Sequence, residues 1–402
     1  MSSALLILSG ILGVRTAVAA DKPAVENRQV ADALTEAKTL ADKKQWEAAL
    51  AAVKRAQQVP DKSPYAEYKI DEFMGYILTQ QHKYGDAAAV FARLADSSQA
   101  SREDVDRHLS TAAQLYLQAK QYPKAAKLAT RALETNRGDA RLLELSGESR
   151  YLAGDYEGAA RTMQQLVKAT ERSGGTPREK WLKIILDSYY KLDDRDQAAA
   201  AWDALLRHYP KQEYWEAVLD QKLAQVDSDT LEFGYRRLMF ELGLMSDDGD
   251  YEELAMRAID VGLPGEAVRV LNAGLDNGAL SSSDRPHFHR ILKYAEDQFA
   301  KERATVAALA ERAQTADSGT PSVALGRFYL GDARYDEAIS ALRRGIEKGN
   351  LDRPDQARID LGIAYLGNDQ AEQATKTFAQ VDVNSEWRDL AELWSLHATA
   401  RN

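Results

Sequence analysis

An alanine set among small and polar residues returns at Ala49, Ala87, Ala125, Ala159, Ala198, Ala267, Ala338 and Ala374, within the strings EAAL, DAAA, KAAK, GAAR, QAAA, EAVR, EAIS and QATK. Five of the seven intervals run from 34 to 39 residues. The other two, 69 and 71, are close to double, which places weakened copies near Leu231 and Ala304. A fixed period in this range means about ten small units stacked in line, each covering the apolar side of its neighbour. No other feature of the chain restricts its fold so strongly.

Each unit contains two amphipathic segments. Three positions before the alanine stand Trp46, Tyr84, Tyr122, Tyr156 and Tyr335, and four after it stand Val53, Phe91, Ala129, Met163, Trp202, Leu271, Leu342 and Phe378. Spacings of three and four share one helix face. Twelve positions before the alanine lie Ala37, Gly75, Ala113, Gly147, Gly326 and Gly362, and three further on lie Leu40, Leu78, Tyr116, Tyr189, Tyr329 and Tyr365, which marks a preceding helix. Short polar breaks such as GDARYDE and AGDYEG leave room only for a tight reversal, so each unit is expected to be an antiparallel helix pair. The small residues would mark where two helices touch, with the tyrosines wedged beside the contact. The fold expected is all-α: a solenoid of about ten helix pairs, two of them degenerate, ended by a capping helix.

Composition narrows the partners. A formal charge of -10 argues against nucleic acid, because binding to phosphates needs clustered Lys and Arg. The opening MSSALLILSGILGVRTAVAA has an apolar run from Ala4 to Val14 and small residues at Ala17, Ala19 and Ala20, the pattern of a cleaved export signal. It lacks a cation in MSS, and Arg15 follows the run. The run is too short to span a bilayer, for which about 20 apolar residues are needed. After cleavage no membrane span is expected. The chain has no cysteine, so packing alone must hold it together.

The small, aromatic and alanine positions resemble the tetratricopeptide repeat (TPR) family. Leu361, Gly362, Tyr365, Ala374 and Phe378 follow its pattern, as do Tyr189, Ala198, Trp202, Leu205 and Pro210. The likeness lapses at 212–246 and 284–316, where helices are still expected but regular repeat geometry is not. From Trp181 onward, WLKIILDSYYKLDD, LLRHYPKQEYW, VGLPGEAVRVLNAGLDNGAL and RYDEAISALRRGIEKGNLDRPDQARIDLGIAYL look like the periplasmic TPR proteins that accompany TonB, ExbB and ExbD in proteobacteria. The general resemblance implies a concave surface for a peptide or partner helix, lined by Lys69, Glu72, Tyr76, Gln114, Arg141, Glu148, Tyr151, Lys183, Asp187 and Tyr190.

Two breaks suggest domain seams: SGGTP at 173–177 and NGALSSSDRP at 277–286. The organisation expected is a signal peptide at 1–20, an N-terminal array at 27–172, a central array with a degenerate unit at 178–280, and a C-terminal array with its cap at 284–402. In the cap, Trp387 and Trp394 lie seven apart and should share the buried face.

Sequence signatures of catalysis are missing: there is no phosphate loop, HExxH, GxSxG or dinucleotide fingerprint. His287 and His289 are two apart and fall on different helix faces, which favours surface histidines over metal ligands. Asp247, Asp248 and Asp250 lack EF-hand spacing and read as a solvated helix start, and Asp193, Asp194 and Asp196 read as a turn. The expectation is therefore a protein without catalytic activity or cofactor, exported to the periplasm and membrane-associated only through a partner. Its partner would be a protein or peptide, with a TonB/ExbB/ExbD-type component as the first candidate. The alternative is a structural or assembly factor for outer-membrane, secretion or cell-wall machinery. An enzyme would need a hidden site within 212–316.

Overall fold

The structure, a computed structural model, describes residues 27–245, 247–276 and 285–401. The expected export signal at 1–20 and most of the seam at 277–286 lie outside these residues. The described residues form twenty α-helices and no strand. They divide into two compact units, which meet in sequence between Ala201 and Trp202.

The first unit runs through α1 (Arg28–Asp42), α2 (Trp46–Gln58), α3 (Pro64–Gln80), α4 (Tyr84–Ala95), α5 (Arg102–Gln118), α6 (Tyr122–Thr135), α7 (Ala140–Leu152), α8 (Tyr156–Arg172) and α9 (Glu179–Lys191) into α10 (Arg195–His208). The first helix of a pair starts at a polar cap. Ser63, Ser101 and Asp139 accept backbone N–H groups of α3, α5 and α7, which would otherwise lack partners. The second helix starts on the repeat aromatic: Trp46, Tyr84, Tyr122 and Tyr156 are each the first helical residue. Between the two, the residue five before the repeat alanine is left-handed, as at Lys44 (φ 59), His82 (φ 58), Lys120 (φ 57) and Gly154 (φ 83). That one residue reverses the chain, and only Gly154 takes the conformation without a Cβ penalty.

The small residue of the first helix sits under the large residue four after the alanine. A Cβ on Gly75 would lie 3.0 Å from the Phe91 ring, and one on Gly147 would lie 2.9 Å from Met163. The wedge over the contact is therefore supplied by the second helix, not by a tyrosine of the first. The segment 173–177 joins α8 to α9, with Gly174 left-handed (φ 75).

The second unit continues through α11 (Gln212–Gln225), α12 (Asp229–Glu241), α13 (Asp248–Asp260), α14 (Pro264–Asp276), α15 (Arg285–Thr315), α16 (Thr320–Gly331), α17 (Tyr335–Lys348), α18 (Pro354–Gly367), α19 (Ala371–Phe378) and α20 (Arg388–Ala400). Its pairs α16/α17 and α18/α19 repeat the same contact, with Gly326 under Leu342 and Gly362 under Phe378. The two irregular stretches take different forms. Residues 212–241 make α11 and α12, whose one glycine, Gly234, packs under Leu390 of α20 rather than under a residue of its sequence neighbour, while 285–315 make one helix of 31 residues where a pair would stand.

The last helix does more than cap. Trp387 and Trp394 are buried as expected, and the ring of Trp394 stacks on Phe378 with centroids 6.2 Å apart. But α20 also packs on α12, where a Cβ on Gly234 would lie 2.4 Å from Leu390, and Asp389 pairs with Lys222 of α11 at 2.5 Å. The second unit is thus closed by contacts between residues more than 150 positions apart, unlike an open array held only by nearest neighbours.

Candidate interaction surface

Among the first helices of unit 1, α3 lies beside α1, and α7 lies between α5 and α9. Counting from the small residue of each, the positions six before, three before, one after and four after fall on one partly exposed strip. The ten residues expected to bind all lie on this strip or at its edge.

The structure brings four of them together at the α7 and α9 end. Tyr151 donates its hydroxyl to Asp187 at 2.5 Å, and Glu148 pairs with Lys180 at 2.9 Å. Lys183 pairs with Glu179 at 3.0 Å. Between them is an open hollow of about 450 Å³ lined by Tyr151, Glu179, Lys180, Lys183, Ile184 and Asp187. The hydrogen bond to Asp187, then burial, push the Tyr151 phenol up to about 12, so it stays a neutral donor at physiological pH. Tyr190, one turn on from Asp187, is 56 % exposed.

The others are set apart from the hollow. Lys69 and Glu72 pair at 2.5 Å on α3, and Tyr76 meets the edge of Trp46 with centroids 6.1 Å apart. Gln114 lies half-buried on α5, and Arg141 lies exposed at the start of α7. Glu179 and Lys180 line the hollow but were not expected to. Lys180 could have been found from its register, since it occupies in α9 the place that Lys69 and Arg141 hold in α3 and α7.

A second feature lies within unit 2. Arg237 of α12 is buried and reaches Glu266 of α14 at 2.6 Å and Asp360 of α18 at 3.0 Å. Arg327 of α16 adds a contact to Asp360 at 3.3 Å, and Arg269 of α14 reaches Glu266 at 3.5 Å and Glu241 at 3.9 Å. Burial alone would lower the Arg237 pKa, but the carboxylates of Glu266 and Asp360 outweigh it and raise the value. This hub ties four helices together. Its signal in the sequence was a charge inside apolar strings, as in LPGEAV and RIDLGIAYL.

Residues weighed for metal binding have other roles. Asp247 accepts the Asp250 N–H at 3.2 Å as the cap of α13, Asp194 accepts the Gln197 N–H at 3.1 Å, and His287 lies 2.9 Å from Glu252. Among the described residues, no group of three or more His, Asp or Glu could hold a metal ion, and no helix is long and apolar enough to cross a membrane.

Antiparallel pairs, the small-over-large contact and the left-handed turn define an all-α, TPR-like helical-repeat protein. Within it, residues 110–173 match the tetratricopeptide repeat family. No curated protein matches the chain in sequence. Among solved structures it is similar to YrrB, described as a TPR protein with an unusual peptide-binding site, at 15% identity over 49% of this chain and 94% of that one, with a TM-score of 0.35. It is also similar to a tetratricopeptide repeat protein from Parabacteroides merdae, at 12% identity over 84% and 99%, with a TM-score of 0.33. A third is MamA from Desulfovibrio magneticus, at 19% identity over 50% and 99%, with a TM-score of 0.31.

Proposed function

We propose that this chain is a non-catalytic periplasmic scaffold that holds another protein through the first-helix strip of unit 1, as a TPR component of a TonB-type outer-membrane transport system. The observation that carries the reading is the hollow between α7 and α9, where Tyr151, Lys183 and Asp187 converge from two adjacent repeats. A rigid donor, a carboxylate and a cation on packed helices form a preorganised surface, which lowers the entropy lost on binding. The mechanism is equilibrium capture without covalent chemistry. The apolar opening, read as an export signal, supports the compartment, and the resemblance of the strings from Trp181 onward supports the TonB-type partner.

Two measurements test it together. Fractionation of the bacterial envelope should place the protein in the periplasm, and affinity purification from that fraction should recover a TonB-, ExbB- or ExbD-type component. Recovery should fall about tenfold for the Tyr151→Ala/Asp187→Ala double variant, the scale of a contact near 1.4 kcal/mol. Cytoplasmic residence, or recovery indifferent to the double variant, would contradict it.

A further inference from the structure

Unit 2 holds a cavity that has no part in the first-helix strip. It measures about 310 Å³ and lies where α10, α11 and α20 meet, and every residue lining it belongs to this unit. That volume is at the lower end for small-ligand sites, which suits one compact molecule rather than a peptide. Leu206, Leu393 and Leu396 make its apolar wall, and Ser395 adds a hydroxyl.

Its charges fall into two groups. Lys222 is held by Asp389 at 2.5 Å, and Glu392 is held by Arg388 of the same helix at 2.8 Å, so these four neutralise one another. Asp203 and Arg207 are left over. They stand four apart on α10 with the acid first, an order and spacing at which opposite charges ordinarily pair. Yet among the described residues neither has an ion pair or a side-chain hydrogen bond. Asp203 is half-buried and Arg207 exposed, so the free carboxylate stands on the inner wall and the free guanidinium at the rim. Burial first raises the Asp203 pKa, and Asp389 and Glu392 push the same way, against Lys222 and Arg207. Tyr235 of α12, 5% exposed, is raised by burial and then by Asp389 and Asp203, so these carboxylates act on the core as well as on solvent. A carboxylate drawn out of water without a donor is costly, and an ammonium beside it removes the cost.

We infer that this cavity binds a small zwitterion, a free α-amino acid with an apolar side chain. Its ammonium meets Asp203, its carboxylate meets Arg207, and its side chain lies on the three leucines. An amino acid carries two opposite charges close together, as one turn of α10 presents their complements. The surrounding ion pairs leave no net charge, so a simple anion or a simple cation is disfavoured: each would leave one of the two groups unmatched. The site does not depend on the reading of the unit 1 strip.

The test is isothermal titration calorimetry of the full chain with L-leucine, N-acetyl-L-leucine, L-leucinamide and glycine. L-Leucine should bind with a Kd below about 1 mM, and each capped form at least about tenfold more weakly, since each leaves one charged group of the site unpaired. Glycine, without the apolar contact, should also bind at least about tenfold more weakly. Asp203→Asn should weaken L-leucine about tenfold and leave N-acetyl-L-leucine no weaker than before. Arg207→Gln should weaken L-leucine about tenfold and leave L-leucinamide unchanged. Thermal melts establish that the variants are folded, and if Asp203→Asn is not, Arg207→Gln on the exposed rim carries the test. The Tyr151→Ala/Asp187→Ala variant of unit 1 should bind L-leucine as the unaltered chain does. The inference is overturned if L-leucine does not bind, if glycine or either capped form binds as tightly, if the α10 substitutions are without effect, or if the unit 1 variant loses the binding.

Discussion

Replacing Arg237 by Met should destabilise unit 2 by about 3 kcal/mol, the lower end of the cost of breaking a buried ion pair. The side chain is 2% exposed and lies 2.6 Å from Glu266 and 3.0 Å from Asp360, carboxylates that are themselves buried. Without the guanidinium both must keep their charge out of water or take up a proton, and each course costs free energy. The loss stays at the lower end because Arg269 and Arg327 remain 3.5 and 3.3 Å from the same carboxylates. Met fills most of the volume, so little of the effect comes from a cavity. The assay is urea unfolding of the full chain followed by circular dichroism, in which unit 2 should shift to a lower midpoint and unit 1 should not. The triple variant Arg237→Met/Glu266→Gln/Asp360→Asn should recover part of the loss, because the uncompensated charges are gone. A shift below about 1 kcal/mol for Arg237→Met would refute the view that the hub holds unit 2 together.

Other positions give sharp expectations. Gly362→Ala places a Cβ 2.3 Å from a Phe378 ring that Trp394 holds in place. Its overpacking cost of about 1–3 kcal/mol exceeds the roughly 1 kcal/mol gained in helix propensity, so the melting temperature should fall. Ala333→Gly should do the reverse. Ala333 sits at φ 55 in the α16–α17 turn, and relief of about 1–2 kcal/mol outweighs the added freedom of the unfolded chain, so an unchanged or lower melting temperature would contradict the turn geometry. His108 is held down to about 4 by burial and then by Arg107, with the Tyr68 hydroxyl 2.9 Å away, the Phe91 ring against it and Asp104 pulling the other way. A base depressed on folding contributes stability that is present above pH 6.5 and lost as pH falls towards 4. His108→Gln should therefore lessen the decline in unit 1 stability between pH 7 and pH 5, and an unaltered pH profile would count against it.

Much of the architecture could be read from one period. Gly362, Phe378 and Tyr335 each predict their own surroundings, because a contact between paired helices is local in sequence and repeats. The register even locates the left-handed residue of the turn, five before the alanine, although no residue type marks it: Lys, His, Asp, Ala and Gly all occur there. The single helix α15 was harder to foresee. The doubled interval implied a hidden pair, yet AEDQFAKERATVAALAERAQ contains no glycine or proline to turn the chain, and that absence was the better guide. Arg237, Glu266 and Asp360 were beyond local patterns, since their partners lie 29 to 123 residues away. The candidate surface was partly legible for the same reason. Register places Tyr151 and Asp187 on one strip, but only the packing of α7 against α9 shows that they meet.

The central claim is that the first-helix strip of unit 1 is where the protein works. Site-specific photocrosslinking in intact cells of the native host tests it most directly, with the reactive side chain placed at Lys183 or Tyr190 on the strip and at Arg161 on the exposed side of α8. The account predicts one discrete crosslinked partner from the first two positions and none from the third. Equal crosslinking from all three, or a partner captured from Arg161 alone, would contradict it.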